Sequence, residues 1–157
     1  MEKIESFKVD HKKLQRGIYV SRKDRTPSGD IITTFDIRVE KPNVDYMLPE
    51  AAHTIEHIGA TFLRNDDEWK DSIIYFGPMG CLTGFYLIVK GDYDSAQILN
   101  LIHRMFVAVR EWDTDIPGAT EEECGNAHFH SLKEARNIAK RYLNVLDNIK
   151  PENMSYD

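Results

Sequence analysis

The chain has 157 residues, 41% of them hydrophobic and 10% aromatic, which suits one compact domain with a filled core and argues against disorder. A formal net charge of −6 at pH 7 weighs against a general nucleic-acid binder, and the local basic clusters Lys12-Lys13 and Arg22 to Arg25 read as solvated loops. No stretch approaches the roughly 18 apolar residues of a membrane span, the start Met1-Glu2-Lys3-Ile4-Glu5-Ser6 lacks the apolar run of a secretory signal, and two cysteines, Cys81 and Cys124, cannot form a disulfide framework. The default expectation is a cytoplasmic protein whose thiols are free, ligated or catalytic.

In chain order, Gly17 to Ser21 reads as a short strand, and Thr26-Pro27-Ser28-Gly29-Asp30 as a turn. Ile31 to Val39 alternates: Thr33, Phe35, Ile37 and Val39 share one side, Thr34, Asp36 and Arg38 the other. The two strands suit a hairpin. Pro42, Asn43 and Pro49 punctuate a loop, and Pro49 then opens a helix to about Leu63. Strands at Ile73–Phe76 and Leu82–Lys90 flank the tight loop Gly77-Pro78-Met79-Gly80. A second helix is expected over Ser95–Trp112, with Ile98, Leu101, Ile102, Met105 and Val109 on its buried stripe. Ile116-Pro117-Gly118 breaks it. A third begins near Glu121 or later and continues to about Asn148, burying Leu132, Ala135, Ile138, Ala139, Tyr142 and Leu146. With no repeat and no linker, the expectation is a single α+β layered domain over 1–157, its mainly antiparallel sheet packed against helices.

The segment His53-Thr54-Ile55-Glu56-His57 carries the clearest chemistry. At 100° per residue the two imidazoles lie about 40° apart on one helix face, and Glu56 falls within an arc of about 100° that holds all three. Ile55, Ile58 and Phe62 occupy the opposite face. The helix therefore offers one side for packing and one for a metal ion. H-x-x-E-H is also the signature of inverted zinc metallopeptidases, in which Glu56 would activate water and a distal carboxylate would complete the site. A third ligand is needed in either case. Cys124, in Glu122-Glu123-Cys124-Gly125-Asn126 at or near a helix start, suits a borderline-soft divalent metal. His128 and His130 are rivals, and a closed set of four protein ligands would instead mark a structural, non-enzymatic site.

Several blocks together resemble the S-ribosylhomocysteine lyase (LuxS) family. They are Ser6-Phe7, Val9-Asp10-His11, Thr33-Thr34-Phe35-Asp36-Ile37-Arg38, Pro42-Asn43, the run Pro49 to Asn65, Gly77-Pro78-Met79-Gly80-Cys81, Thr83-Gly84-Phe85-Tyr86 and Glu123-Cys124-Gly125-Asn126. They occur in family order and cover nearly the whole chain. Leu82 departs from the pattern, since the family often carries a basic or polar side chain there, and electrostatic help to Cys81 from that position is missing. His128 looks like an extra histidine, whereas His130 matches a position where the family commonly has one.

The resemblance implies cleavage of S-ribosylhomocysteine to homocysteine and 4,5-dihydroxy-2,3-pentanedione, the autoinducer-2 precursor of quorum sensing. It implies a homodimer with active sites at the interface, and iron(II) held by His53, His57 and Cys124, with zinc or cobalt as substitutes. Neither nucleic acid nor membrane is an expected partner. Cys81 and Glu56 are the expected acid–base groups, and Ser6, His11 and Arg38 the expected substrate contacts. The chemistry needs such a set. Direct elimination from the thioether would leave an unstabilised carbanion, so the sugar carbonyl must first move from C1 to C3, through enediolates that a Lewis acid stabilises. Only then is the C4 proton acidic enough for sulfur to leave C5. An open metal position serves peptide hydrolysis equally well, so openness alone does not separate lyase from peptidase.

Overall fold

A computed structural model describes residues 1–156. Four strands form one sheet: β1 (Gly17–Arg25), β2 (Ile31–Arg38), β3 (Ile73–Pro78) and β4 (Gly84–Lys90). Their order is β1-β2-β4-β3, with every neighbouring pair antiparallel. Three helices complete the fold: α1 (Pro49–Asn65), α2 (Ser95–Glu111) and α3 (Leu132–Asp147). The architecture is the expected open α+β layer.

Period-two alternation explains how the layers meet. Phe35 and Ile37 of β2 stand in register with Val20 and Ile18 of β1 and with Leu87 and Phe85 of β4. These side chains form the helix-facing surface, and a continuous core joins them to Ile55 and Ile58 of α1, Ile98, Ile102 and Met105 of α2, and Ile138 and Tyr142 of α3. The expected buried stripe of α2 is buried as read; on α3, Leu132 is only half-buried and Leu143 joins the stripe. Asp94 and Gln97 close a reciprocal capping box at the start of α2.

Element ends move from their expected places for identifiable reasons. β1 runs on to Arg25 because a register shift between Val20 and Arg22 lets its charged end keep pairing with β2. β2 stops at Arg38, where the N–H groups of Val39 and Glu40 both turn to the Thr83 carbonyl at 3.0 and 2.9 Å. β4 begins at Gly84 rather than Leu82, because the Leu82 N–H closes a turn onto Met79 O and Leu82 takes a φ of 58°. α3 starts at Leu132 rather than near Glu121. Thr120 to Glu123 makes one helix-like turn, with Cys124 N–H on Thr120 O, but the chain then continues through further turns to the Ser131 cap.

The second face of the sheet is covered in part. Thr34, Asp36 and Arg38 are buried there. After α3 the chain crosses the β1 edge, where a Cβ on Gly17 would lie 2.0 Å from Asn153 O, so only glycine admits the crossing. Beyond it, the Tyr156 ring stacks on Tyr19 at 4.9 Å, on the same side as Asp36.

Close approach of α1 to the sheet depends on Gly59, where a Cβ would meet the Phe76 ring at 2.6 Å and Met105 Sδ at 3.1 Å. The Phe76 ring is itself stacked on Phe85 at 4.9 Å and has little room to give. Gly59→Ala should therefore lower stability by about 1–2 kcal/mol in urea unfolding, overpacking outweighing the gain of about 1 kcal/mol in helix propensity. Unchanged or increased stability would show that α1 can withdraw from the sheet freely.

Candidate metal centre

α1 carries His53 and His57 on its half-buried face, and the segment between α2 and α3 crosses that face. Two carbonyls of this segment hold the rings. His53 Nδ1 lies 2.6 Å from Phe129 O, and His57 Nδ1 lies 2.8 Å from Pro117 O. A carbonyl only accepts, so each Nδ1 carries the proton and each Nε2 presents a lone pair. Gly118, with φ of 67°, lets the chain turn directly over His57. The Pro117-Gly118 pair that ends α2's neighbourhood in sequence thus also orients a ring.

Cys124 completes the convergence. Its Sγ is 3.5 Å from His53 Nε2 and 3.8 Å from His57 Nε2. A tetrahedral ion with bonds of about 2.3 Å to sulfur and 2.0–2.1 Å to nitrogen requires S···N edges of about 3.6 Å. The three atoms therefore fit a divalent metal. The two imidazole planes are near-perpendicular, at 89° with centroids 4.5 Å apart, so their in-plane lone pairs can meet at one point. Cys124 is not at a helix start, as the sequence suggested, but in the loop before α3. One backbone donor still serves its sulfur there, from Asn126 N–H at 3.5 Å.

His130 joins the same cluster, all four ligand atoms lying within 4.8 Å of one another. Its ring, however, is stacked on His53 at 4.0 Å with planes only 14° apart. Nearly parallel planes do not share an in-plane point, so these two rings cannot both aim lone pairs at one ion. His130 instead ties loop to helix. Thr54 Oγ1 donates to Glu50 O at 2.9 Å, and so accepts from Ser131 N–H and from His130 Nδ1, both at 3.0 Å. Burial, then the neighbouring His53 and His57, push the His130 pKa down to about 4, which leaves it neutral near pH 7. His128 stands apart in solvent, paired with Glu121 at 3.2 Å. Among the described residues the cluster holds no carboxylate, as a peptidase of this motif would need. Glu56, half-buried, occupies the same helix turn as His57.

A second group of expected residues gathers at the β3–β4 turn. Exposed Cys81 and part-buried His11 line a cavity of about 480 Å³ with Thr83, Asn43 and Tyr46, and none of His53, Glu56, His57 or Cys124 is in its wall. Thr83 Oγ1 accepts from Arg38 NH1 at 2.6 Å and lies 3.1 Å from Cys81 Sγ, which leaves its hydroxyl proton to be donated to sulfur. Arg38, only 3% exposed, also reaches within 4.0 Å of Sγ and is clamped by Asp36 at 2.6 Å. Burial opposes its charge, but the Asp36 carboxylate beside it raises its pKa above the ordinary arginine value. The Leu82 side chain turns to the core, and Arg38 stands where positive charge near the thiol is otherwise lacking. Ser6 lies elsewhere, lining a cavity of about 290 Å³ with Thr34, Tyr75 and Tyr86.

Thr54 and Thr83 lay inside motifs read for other residues, and only their contacts reveal what they do. The carbonyls of Pro117 and Phe129 leave no trace in residue identity at all.

The fold and the cluster define a small α+β protein with a His/Cys group, His53, His57, Cys124 and His130, that could hold a metal ion. Residues 4–153 match the family model described as S-Ribosylhomocysteinase (LuxS). Similar proteins include S-ribosylhomocysteine lyases of Desulfotalea psychrophila, 54% identical over 158 residues, and of Borreliella burgdorferi strain ZS7, 52% identical over 157 residues. That of Porphyromonas gingivalis strain W83 is 49% identical over 159 residues; each match covers 99% of both chains. The chain belongs to the S-ribosylhomocysteinase (LuxS) family.

Thr54→Val should leave the Ser131 N–H and the His130 ring without their acceptor. A loss of about 1–3 kcal/mol is expected in denaturant unfolding, with metal affinity weakened about 10–100-fold in chelator competition. Wild-type metal affinity in the folded variant would show that the loop holds Cys124 without this tie.

Proposed function

We propose that this chain cleaves S-ribosylhomocysteine to homocysteine and 4,5-dihydroxy-2,3-pentanedione, with a metal ion held by Nε2 of His53, Nε2 of His57 and Sγ of Cys124. The observation that carries the reading is the convergence of those atoms, with Sγ 3.5 and 3.8 Å from the two Nε2, close to the S···N edge of a tetrahedral ion. It joins the naming of the relatives as S-ribosylhomocysteine lyases. Iron(II) is the proposed native metal, and zinc or cobalt suits the same borderline ligand set.

A bound divalent cation supplies Lewis acidity, which offsets the negative charge that develops on the sugar oxygens. The chain's own residues handle the protons. Each carbonyl shift, from C1 to C2 and from C2 to C3, takes a proton from one carbon and returns one to its neighbour. Cys81 is the proposed carrier on the cavity side. Its thiolate form is received by the Thr83 hydroxyl and faced by the Arg38 guanidinium. Glu56 is the proposed carrier on the metal side, its carboxylate beside the ligand pair on α1. The C4–H and C5–S bonds then break, a C4–C5 double bond forms, and homocysteine leaves as a thiolate that takes a proton; the enol left behind loses its O–H proton and gains one at C5, giving the dione. His11, on the wall of the Cys81 cavity, is a proposed substrate contact, as are Ser6 and Arg38.

A homodimer with shared active sites accounts for how the residues divide. The metal cluster, the Cys81 cavity and the Ser6 cavity occupy separate parts of one chain, and a second copy would bring complementary parts together. A cytoplasmic location suits the two unbridged thiols, and no helix is long and apolar enough to cross a membrane. The dione product would serve as the precursor of autoinducer-2.

Incubation with S-ribosylhomocysteine and a thiol reagent should release homocysteine; no release from metal-loaded protein would overturn the lyase reading. Cys124→Ala should purify with far less metal and little turnover. Cys81→Ala should keep its metal and fold yet lose turnover by on the order of 100-fold or more, the range of a lost acid–base group. Glu56→Gln should behave like Cys81→Ala. Metal loss at position 81 with retention at position 124 would mean that the two roles are reversed.

Air exposure tests the metal. Iron(II) beside a thiolate should lose activity faster than zinc- or cobalt-loaded protein, through oxidation of the iron and of the thiols. Equal lifetimes for all three would count against an iron–thiolate centre.

A further inference from the structure

The family match ends at residue 153, and the chain places a half-buried aromatic residue beyond it. Tyr156 is clamped at two points. Its ring lies parallel to Tyr19, 4.9 Å away with planes 13° apart, and its hydroxyl donates to Asp36 Oδ2 at 2.6 Å. The hydroxyl keeps its proton for this purpose, because burial and then the Asp36 charge raise the Tyr156 pKa far above the ordinary tyrosine value.

Asp36 is 1% exposed, and its Oδ1 has no partner among the described residues. Its charge is therefore balanced through Oδ2 alone, by Tyr156 O–H and by Arg38 NH2, both at 2.6 Å. The same guanidinium uses NH1 to hold Thr83 Oγ1 and to face Cys81 Sγ. One arginine is thus shared between a carboxylate on one side and a hydroxyl–thiol pair on the other. Whatever balances Asp36 from the tail decides how strongly it draws Arg38 away from Cys81.

The geometry points to Tyr156 as a positioning residue that, through Asp36 and Arg38, sets the reactivity of the Cys81 thiol. The inference rests on the reading of Cys81 as an acid–base group for its link to turnover, but not for its effect on the thiol. Loss of the Tyr156 hydroxyl leaves Asp36 with Arg38 as its one donor. The guanidinium then moves toward the carboxylate, Thr83 loses its donor, and a thiolate at position 81 loses the charge that faces it.

The test is alkylation of Cys81 by iodoacetamide in metal-loaded protein at pH 7, followed peptide by peptide in a mass spectrometer and set beside kcat, KM and metal content. Tyr156→Phe keeps the ring on Tyr19 and removes only the hydroxyl; Tyr156→Leu removes both. Alkylation of Cys81 in the Phe variant should slow by about threefold to tenfold, the range of coupling within one hydrogen-bonded network. kcat should fall by a similar factor, with KM within about twofold and metal content unchanged. Wild-type alkylation in the Phe variant overturns the proposal, and if only the Leu variant slows, Tyr156 is a packing residue alone. Slower alkylation with wild-type turnover keeps the control of the thiol by Tyr156 and instead removes Cys81 from the lyase chemistry.

Discussion

Two backbone carbonyls decide what the histidines of α1 can do. An imidazole offers two nitrogens, and only the one without a proton can bind a metal. Phe129 O and Pro117 O each take the Nδ1 proton, so both Nε2 lone pairs turn to the same side of the helix, toward Cys124. The helix supplies the angular spacing, but the segment between α2 and α3 supplies the tautomer, the ring tilt and the third ligand. That segment is held in turn by Thr54, through Ser131 and His130. His130 also acts as a strut: stacked on His53 and tied at Nδ1 to Thr54, it joins the loop to α1.

The other half of the chemistry depends on a different constraint, the burial of Arg38. A buried guanidinium needs a counter-charge and filled donors. Asp36, two residues earlier on the same face of β2, provides the charge, and Thr83 takes NH1. Thr83 then has one proton left to give, and Cys81 Sγ is the atom within its reach. Electrostatic support for the thiol therefore arrives across the sheet from β2, although the residue next to Cys81 in sequence, Leu82, is apolar and packs inward.

These two groups lie on different parts of the fold, and the sheet and helices keep them there. Gly59 lets α1 lie close on the sheet, and Gly17 lets the tail cross the β1 edge to reach the opposite face. The candidate metal ligands thus come from the helix layer and its loop, while Cys81 and Arg38 come from the β3–β4 turn and the sheet. Within one chain the division is clear.

Much of this was legible in sequence where the relevant physics is local. The 3.6-residue period puts His53, Glu56 and His57 on one face, alternation separates Phe35 and Ile37 from Asp36 and Arg38, and the family blocks name the two cysteines. Each of these depends on neighbours a few residues away. The start of α3 was bracketed only as near Glu121 or later, because Thr120 to Cys124 forms a helical turn of its own before the Ser131 cap. Arg38 was readable as a polar strand residue, but its pairing with Thr83 spans 45 positions, and the Tyr156–Asp36 contact spans 120. Cys124 was already the preferred third ligand in the sequence, but the ring planes that stack His130 on His53 are set by packing, which residue identity does not encode. By itself the sequence determined the elements, the family and the kinds of ligand available. Tertiary structure decided which lone pairs converge and which charge faces the thiol, because hydrogen bonds and imidazole planes are set by groups that meet only when distant segments pack.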